Sequence, residues 1–524
     1  MKKENEHIII VGAGIGGLVS ALLLSQKGLN VTVVDRNGYP GGKLRAFSSQ
    51  EGPIDAGPTV LTLIDVFQEI FTQANLNIFK ELDLYKEEVL ARHYWPDGKC
   101  LDLFSTHEKN LFSIEQVFGK KSAAEFDKFH GDCETLFFAF NNTLLRNDYP
   151  GSFFIKKDFL KSIPRLINIL GFPTDYWSKL ERYFSEPKLR QLFGRYATYV
   201  GGSPFNSPSL LQLIWYVEFL GVWRIRGGLH TLANKLKQLS TENGVKFIFN
   251  KSVTKINIKD NKVCSVDLND GQRYQSKTVL FNGDPRNFRE GNLGSNLKNI
   301  MKKTATEPRS LSAYVWSFAS ETTGVELAHH NIFFNDDYKN EFDSILAGQI
   351  AEDPTLYVCK QEKGLKSSSK NRFEIIINAP SLTQNKISAK KEYDLCKERT
   401  FQKLSKMGIY FKNKPNSHNL ATPRAFERLA PGADGSIYGL SPERLLSTFQ
   451  RPSTKTKIRG LYLAGGGTHP GPGLPMAALS GKHAAEMIKR ELVLIRISHP
   501  TGTDGGTWMA FQMTAQKQFQ LLPS

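Results

Sequence analysis

Gly12, Gly14 and Gly17 stand in the spacing G-x-G-x-x-G. They lie between an uninterrupted apolar run at residues 8–11 and a helix-patterned stretch reaching Lys27, in which Leu18 and Leu22 are four apart. Each glycine has a chemical use. The first allows a tight turn, the second lets a pyrophosphate approach the backbone, and the third lets helix and strand pack closely. The start of the helix adds unpaired N–H groups and a partial positive charge for phosphates. A second apolar run at residues 31–34 ends in Asp35, about 20 residues on, where an acid can accept hydrogen bonds from a ribose. Strand, glycine turn, helix, strand and acid together predict dinucleotide binding; a purely structural glycine turn needs none of the rest.

The continuation narrows the cofactor. Residues 35–45, Asp-Arg-Asn-Gly-Tyr-Pro-Gly-Gly-Lys-Leu-Arg, resemble the Gly-Gly-Arg continuation of flavin amine oxidases and carotenoid desaturases, with Lys43 in place of the arginine. That resemblance favours FAD over NAD. Residues 51–60 resemble the Asp-x-Gly-Pro segment that runs close to the flavin ring in carotenoid desaturases, with Asp55 most simply capping or pinning its loop. Residues 251–256 resemble the strand that meets the adenine, at the Val253 position. At the far end, residues 458–476 run from an apolar strand through Gly-Gly-Gly-Thr-His-Pro-Gly-Pro-Gly-Leu-Pro-Met into a helix, a second phosphate-and-ring cradle. This stretch resembles the C-terminal flavin motif Gly-Thr-His-Pro-Gly-x-Gly-x-Pro of the same family. The resemblance implies FAD contacts at Gly12, Gly14, Ile15, Gly17, Asp35, Arg36, Gly42, Lys43, Gly57, Pro58, Thr59, Val253, Gly466, Gly467, Gly473, Leu474, Pro475 and Met476.

Over residues 5–490 the chain is similar to bacterial carotenoid (phytoene-type) desaturases. It is most similar to the 1-hydroxycarotenoid 3,4-desaturase, or methoxyneurosporene dehydrogenase, branch. Residues 199–205 (Tyr-Val-Gly-Gly-Ser-Pro-Phe) and the apolar stretch 210–223 carry the resemblance to that branch. It implies removal of hydrogens from C3–C4 of a 1-hydroxylated carotenoid, with hydride passing to the flavin and a proton leaving the neighbouring carbon. No ordinary side chain accepts a hydride, so the cofactor carries that step. The protein's part is placement in an apolar channel that excludes water. No motif singles out a catalytic side chain; His469 and Glu218 are the candidates for a proton-handling or channel role. A quinone or oxygen is expected to reoxidise the flavin. The alternatives are a phytoene- or lycopene-type desaturase, a carotene isomerase, or a non-redox prenyl-lipid-binding protein of the same fold.

The elements that must hold these residues form an α/β fold: a Rossmann-like FAD-binding domain of the flavin amine oxidase type, a β-sheet substrate domain and a helical, membrane-facing subdomain. FAD-binding segments are expected at residues 5–65, 226–290 and 426–490. The helical subdomain with short strands falls at 66–225 and the substrate sheet at 291–425. Residues 498–524 read as a tail, either disordered or foreign to the natural chain. A chain of 524 residues with 40% apolar content can bury a sizeable core. Its net charge of +17 calls for anionic partners. An anionic membrane surface is preferred to nucleic acid, for which no signature appears. The five cysteines lack C-x-x-C spacing, so neither a disulfide framework nor a metal site is expected. Residues 153–172 mix apolar residues with lysines, as a helix lying in a lipid interface does. With no apolar run of about 18 residues and no signal peptide in view, a peripheral position on the cytoplasmic face of a membrane is expected.

Overall fold

Ile8, Ile9 and Ile10 are wholly buried because their strand, His7–Val11, is the middle member of a five-stranded parallel sheet. The computed structural model describes residues 6–141, 145–148, 157–171, 175–362, 369–443 and 447–498. It divides into two compact units, residues 1–485 and 486–524, and the sheets and site described below lie in the first. The strand order in the parallel sheet is Leu461–Leu463, Thr278–Phe281, His7–Val11, Asn30–Val34, Lys246–Ile248. Succession runs one way from the first strand to Asn30–Val34 and the other way to Thr278–Phe281. The carboxyl end of His7–Val11 is therefore the switch point where open α/β sheets bind ligands.

A seven-stranded sheet stands beside it, in the order Leu420–Ala421, Ser312–Ser320, Asn371–Ala379, Leu356–Gln361, His330–Phe333, Val89–Tyr94, Cys100–Phe104. Every pairing is antiparallel except that of His330–Phe333 with Val89–Tyr94. Two of these strands come from early in the chain, as a hairpin turning through Pro96, Asp97 and Gly98. Alternation along Ser312–Ser320 sorts its side chains by size. Tyr314, Trp316 and Phe318 pack on one face with Cys396, Phe401 and Leu404 of the helix Ala389–Lys406. The smaller Ala313 and Val315 face the other way, against Phe426, and border the cavity described below.

The remaining layer is helical. Phe126 and Phe129 of Lys120–Phe140 meet Phe193 of Pro187–Gly194 at ring-centroid distances of 5.7 and 4.7 Å, and Trp215 of Leu213–Phe219 closes on Phe126 at 5.6 Å. Of the stretch 153–172, residues 153–156 and 172 lie outside the described residues, and Lys157–Leu170 is a helix. In its described half Leu166 and Ile169 pack on Leu136 and Phe140, whereas Ile167 is 55% exposed. The expected tail lies outside the described residues from 499 onward. No helix among the described residues is long and apolar enough to cross a membrane.

Candidate active site

The helix Ile15–Ser25 starts immediately after the first strand, with Gly14 at its N-cap, no side-chain cap and no acid in its first turn. Its leading N–H groups are thus left for a ligand. Gly17 is not part of the cavity wall. A Cβ there would meet the Gly12 carbonyl oxygen at 2.1 Å, so its role is to let helix and strand touch. Asp35 accepts hydrogen bonds from the backbone N–H of Ala13 (2.7 Å) and Asn37 (2.7 Å), which locks the acid to the glycine turn. Burial raises its pKa, with those backbone donors pulling the other way.

Two further glycine segments close on this turn. The Gly41 N–H donates to the Ala13 carbonyl (2.8 Å), and a Cβ on Gly42, whose φ is +61°, would lie 3.3 Å from the Gly14 Cα. A Cβ on Gly57 would meet the Lys43 carbonyl oxygen at 2.0 Å. Asp55 is turned away from this contact. Its carboxylate accepts from the N–H of Leu229 (2.7 Å) and His230 (3.1 Å), capping the helix His230–Glu242. The C-terminal motif arrives through the helix Leu474–Ser498. Ser20 Oγ donates to the Gly481 carbonyl (2.8 Å), and a Cβ on Gly481 would lie 2.2 Å from the Gly16 oxygen. Glycine against glycine is what brings residues 12–17 and 465–476 together.

One cavity of about 830 Å³ runs past all of these segments. Its wall includes Gly12, Gly14, Ile15, Asp35, Arg36, Gly42, Lys43, Gly57, Pro58, Thr59, Val253, Gly466, Gly467, Gly473, Leu474, Pro475 and Met476. Sequence reasoning missed several neighbours. Asn282 donates to the Gly12 carbonyl (3.1 Å) at the head of the turn. Arg451 donates to the carbonyls of Gly466 (3.1 Å), Tyr438 (3.2 Å) and Leu440 (2.8 Å). Asp284 pairs with Arg309 in a buried ion pair. Only the Asn-Gly-Asp run after an apolar strand hinted at Asn282 and Asp284; nothing local marks Arg451.

The cavity wall is electropositive on this side. Lys43 donates to the Ile437 carbonyl (2.7 Å), and burial pushes its ammonium down to about 8, with Asp284 opposing the fall. Burial likewise lowers Arg451, to about 10. Lys43 is charged below about pH 8 and neutral above it. Affinity for an anionic dinucleotide is expected to fall as the pH rises through that value, by no more than about tenfold per unit, the slope of one proton. Fluorescence titration of the apo-protein against pH checks this, and Lys43→Met should flatten the profile.

Beyond the glycine cradle the same cavity turns apolar. Leu210, Leu211, Leu213, Ile214 and Val217 line it from one side and Ala313, Val315, Ile332 and Ile376 from the other. Of the two candidate side chains, Glu218 is on this wall and His469 is not. Glu218 accepts from the hydroxyls of Tyr196 (2.9 Å) and Tyr199 (2.6 Å). His469 is buried, its backbone N–H donating to the Pro452 carbonyl and its Nε2 2.9 Å from the Asn147 carbonyl. An uncapped helix start, glycine backbone on three sides and a cationic wall fit a dinucleotide's pyrophosphate. The apolar length beyond them fits a rod-like lipid.

The comparisons with known proteins agree with this geometry. The family described as flavin containing amine oxidoreductase matches residues 15–299. A hydroxyneurosporene desaturase of Cereibacter sphaeroides is 42% identical over 496 residues, covering 94% of this chain and 99% of the relative. A 1-hydroxycarotenoid 3,4-desaturase of a Flavobacterium species is 30% identical over 495 residues, 92% of this chain and 98% of that one. Among solved structures, a fatty acid isomerase from P. acnes superposes with a TM-score of 0.57 at 12% identity, over 94% of this chain and 99% of the other, which shows a shared fold.

Proposed function

The chain belongs to the bacterial carotenoid desaturases, FAD-dependent oxidoreductases acting on CH–CH groups within the flavin amine oxidoreductase family, and from that premise we propose that it desaturates C3–C4 of a 1-hydroxylated carotenoid. The observation that carries the reading is the single cavity that joins the glycine cradle to an apolar length. When bound, FAD supplies the hydride acceptor that side chains lack. The protein's residues do the rest by placement. The small Ala313 and Val315 leave room for a flat polyene, while Leu213, Ile214 and Val217 hold it and keep water out. Residues 5–65, 226–290 and 426–490 serve the cofactor, 291–425 the substrate and 66–225 the substrate's access. The names of the similar desaturases support the hydroxylated class. Incubating the holoenzyme with lycopene, γ-carotene and their 1-hydroxy derivatives tests it. The hydroxylated compounds should show the red shift of a lengthened polyene; a shift confined to the others would overturn the assignment.

A substrate dissolved in lipid gives the protein reason to sit on a membrane, on the cytoplasmic face, where a quinone or oxygen can take the electrons. Phe138 and Ile167, each 55% exposed, support that placement. They lie on Lys120–Phe140 and Lys157–Leu170, whose buried faces pack with the cavity-lining Phe140, Leu210 and Leu213. Burying such a side chain in lipid is worth about 1.5–3 kcal/mol. Phe138→Asp with Ile167→Asp is therefore expected to cut co-sedimentation with anionic vesicles by at least about tenfold. Unchanged partitioning would rule this face out.

A further inference from the structure

The apolar part of the cavity carries one polar cluster that holding a hydrocarbon does not require. Arg195, Tyr199 and Glu218 all line the wall; Arg195 is 4% and Glu218 2% exposed, while Tyr199 is half-buried. Burying such a group without a partner is costly, so the cluster is internally paired. Tyr196 and Tyr199 donate to the two oxygens of Glu218, and Arg195 Nη1 donates to the Tyr199 hydroxyl oxygen (2.9 Å). The guanidinium lies 5.0 Å from the ring centroids of both Tyr196 and Tyr199, and its Nε and Nη2 are buried without hydrogen-bond partners.

The donor and acceptor count decides what such a wall binds. The hydroxyl protons of Tyr196 and Tyr199 are spent on Glu218, and Arg195 Nη2 lies 3.9 Å from the same carboxylate, while its Nε and Nη2 make no hydrogen bond. A carboxylate offers about four lone-pair sites, and two of them are taken. What remains for a ligand is acceptor capacity on Glu218 and on the Tyr199 oxygen, beside the unpaired N–H groups of Arg195. The ligand group that satisfies both must donate and accept hydrogen bonds. An alcohol does so; an ether or a hydrocarbon does not.

The cluster also lies where such an alcohol would fall. Tyr357, on the same cavity wall, hydrogen-bonds with Thr59 and His330 and lies in the electrostatic field of Tyr199. Thr59 belongs to the segment packed on the Lys43 backbone beside the glycine cradle. The polar cluster is thus at the cradle end of the apolar length. In a 1-hydroxylated carotenoid the oxygen-bearing carbon is two bonds from C3, so its hydroxyl must fall close to the reacting bond.

We infer that Glu218 and Tyr199, held by Arg195 and Tyr196, form a subsite that accepts a hydrogen bond from the substrate's tertiary hydroxyl and so selects alcohols over the matching hydrocarbons. The inference rests on the proposed desaturase reading and adds the residues that set its specificity. The test uses the FAD-loaded enzyme with three substrates differing only at C1: the hydroxyl, its methyl ether and the deoxy compound. The wild type should favour the alcohol. Tyr199→Phe and Glu218→Gln should each shrink the alcohol-to-deoxy ratio of kcat/KM by at least about tenfold, the penalty for an unmatched polar group in a specificity pocket. Flavin absorbance and melting temperature verify that each variant is folded and loaded. A wild type that turns over none of the three would sink the desaturase reading itself. If the wild type favours the alcohol but the variants lose rate equally on all three compounds, or keep the wild-type ratio, the hydroxyl subsite is refuted.

Discussion

Gly14→Val is expected to give a folded protein without colour. A Cβ at this position meets only Asn282 Nδ2, at 3.0 Å, and the N-cap backbone (φ −71°, ψ 172°) suits a β-branched residue. The fold therefore has little reason to resist the change. The added isopropyl group instead occupies the wall where a pyrophosphate must approach the helix start. Overpacking of this kind costs about 1–3 kcal/mol, or roughly 5- to 150-fold in flavin affinity. Gly17→Val should behave differently, because its Cβ drives into the Gly12 carbonyl and unseats the helix as well. Flavin absorbance and thermal melting read together separate the two. Gly14→Val that keeps its full flavin complement would remove the phosphate role.

The second large effect is expected at Asp284. Burial works against its charge, yet Arg309 and the Arg286 backbone N–H hold its carboxyl below the usual carboxylate range. The pair with Arg309 is nearly sealed from solvent, and Lys43 and Arg451 feel the same carboxylate. Asp284→Ala leaves three buried cations without this counter-charge. Removing one partner of a buried ion pair costs about 3–5 kcal/mol, so the flavin-free protein should lose that much in denaturant unfolding. Saturating FAD should restore part of the loss, because an anion bound at this wall answers the same charges. A loss below about 1 kcal/mol would show that solvent, and not Asp284, balances the cluster.

The parts of the site legible in the sequence are those where the backbone itself makes the demand. Gly12, Gly17, Gly42 and Gly57 are glycines because a Cβ would strike neighbouring backbone or face a strained φ, and such demands leave a local pattern. The largely apolar runs at residues 312–318 and 356–359 carry a local strand signal of the same kind, and the strands Ser312–Ser320 and Leu356–Gln361 contain them. Side chains that work by reaching across the chain were not. Arg451 binds three carbonyls yet sits in no motif of its own, and Asn282, which ties down the first glycine turn, is hinted at only by a brief Asn-Gly-Asp run. Tyr357 became part of the site only when its strand was placed beside Thr59. His469 stood out by residue type alone, and the fold puts its imidazole behind the cavity wall. Glu218 looked like one acid in an apolar stretch; its meaning depended on Tyr196, Tyr199 and Arg195 arriving around it.

The parallel sheet interleaves its strands so that Leu461–Leu463 lies against Thr278–Phe281, and the helix after it rests on the very first helix of the chain. During synthesis the opening fingerprint leaves the ribosome long before its partner exists. Closing a contact across hundreds of residues is slow, and until it closes half of the cofactor's enclosure is missing. Flavin retention must therefore wait for residues 461–476, and a nascent chain stalled before residue 461 should emerge unable to retain FAD.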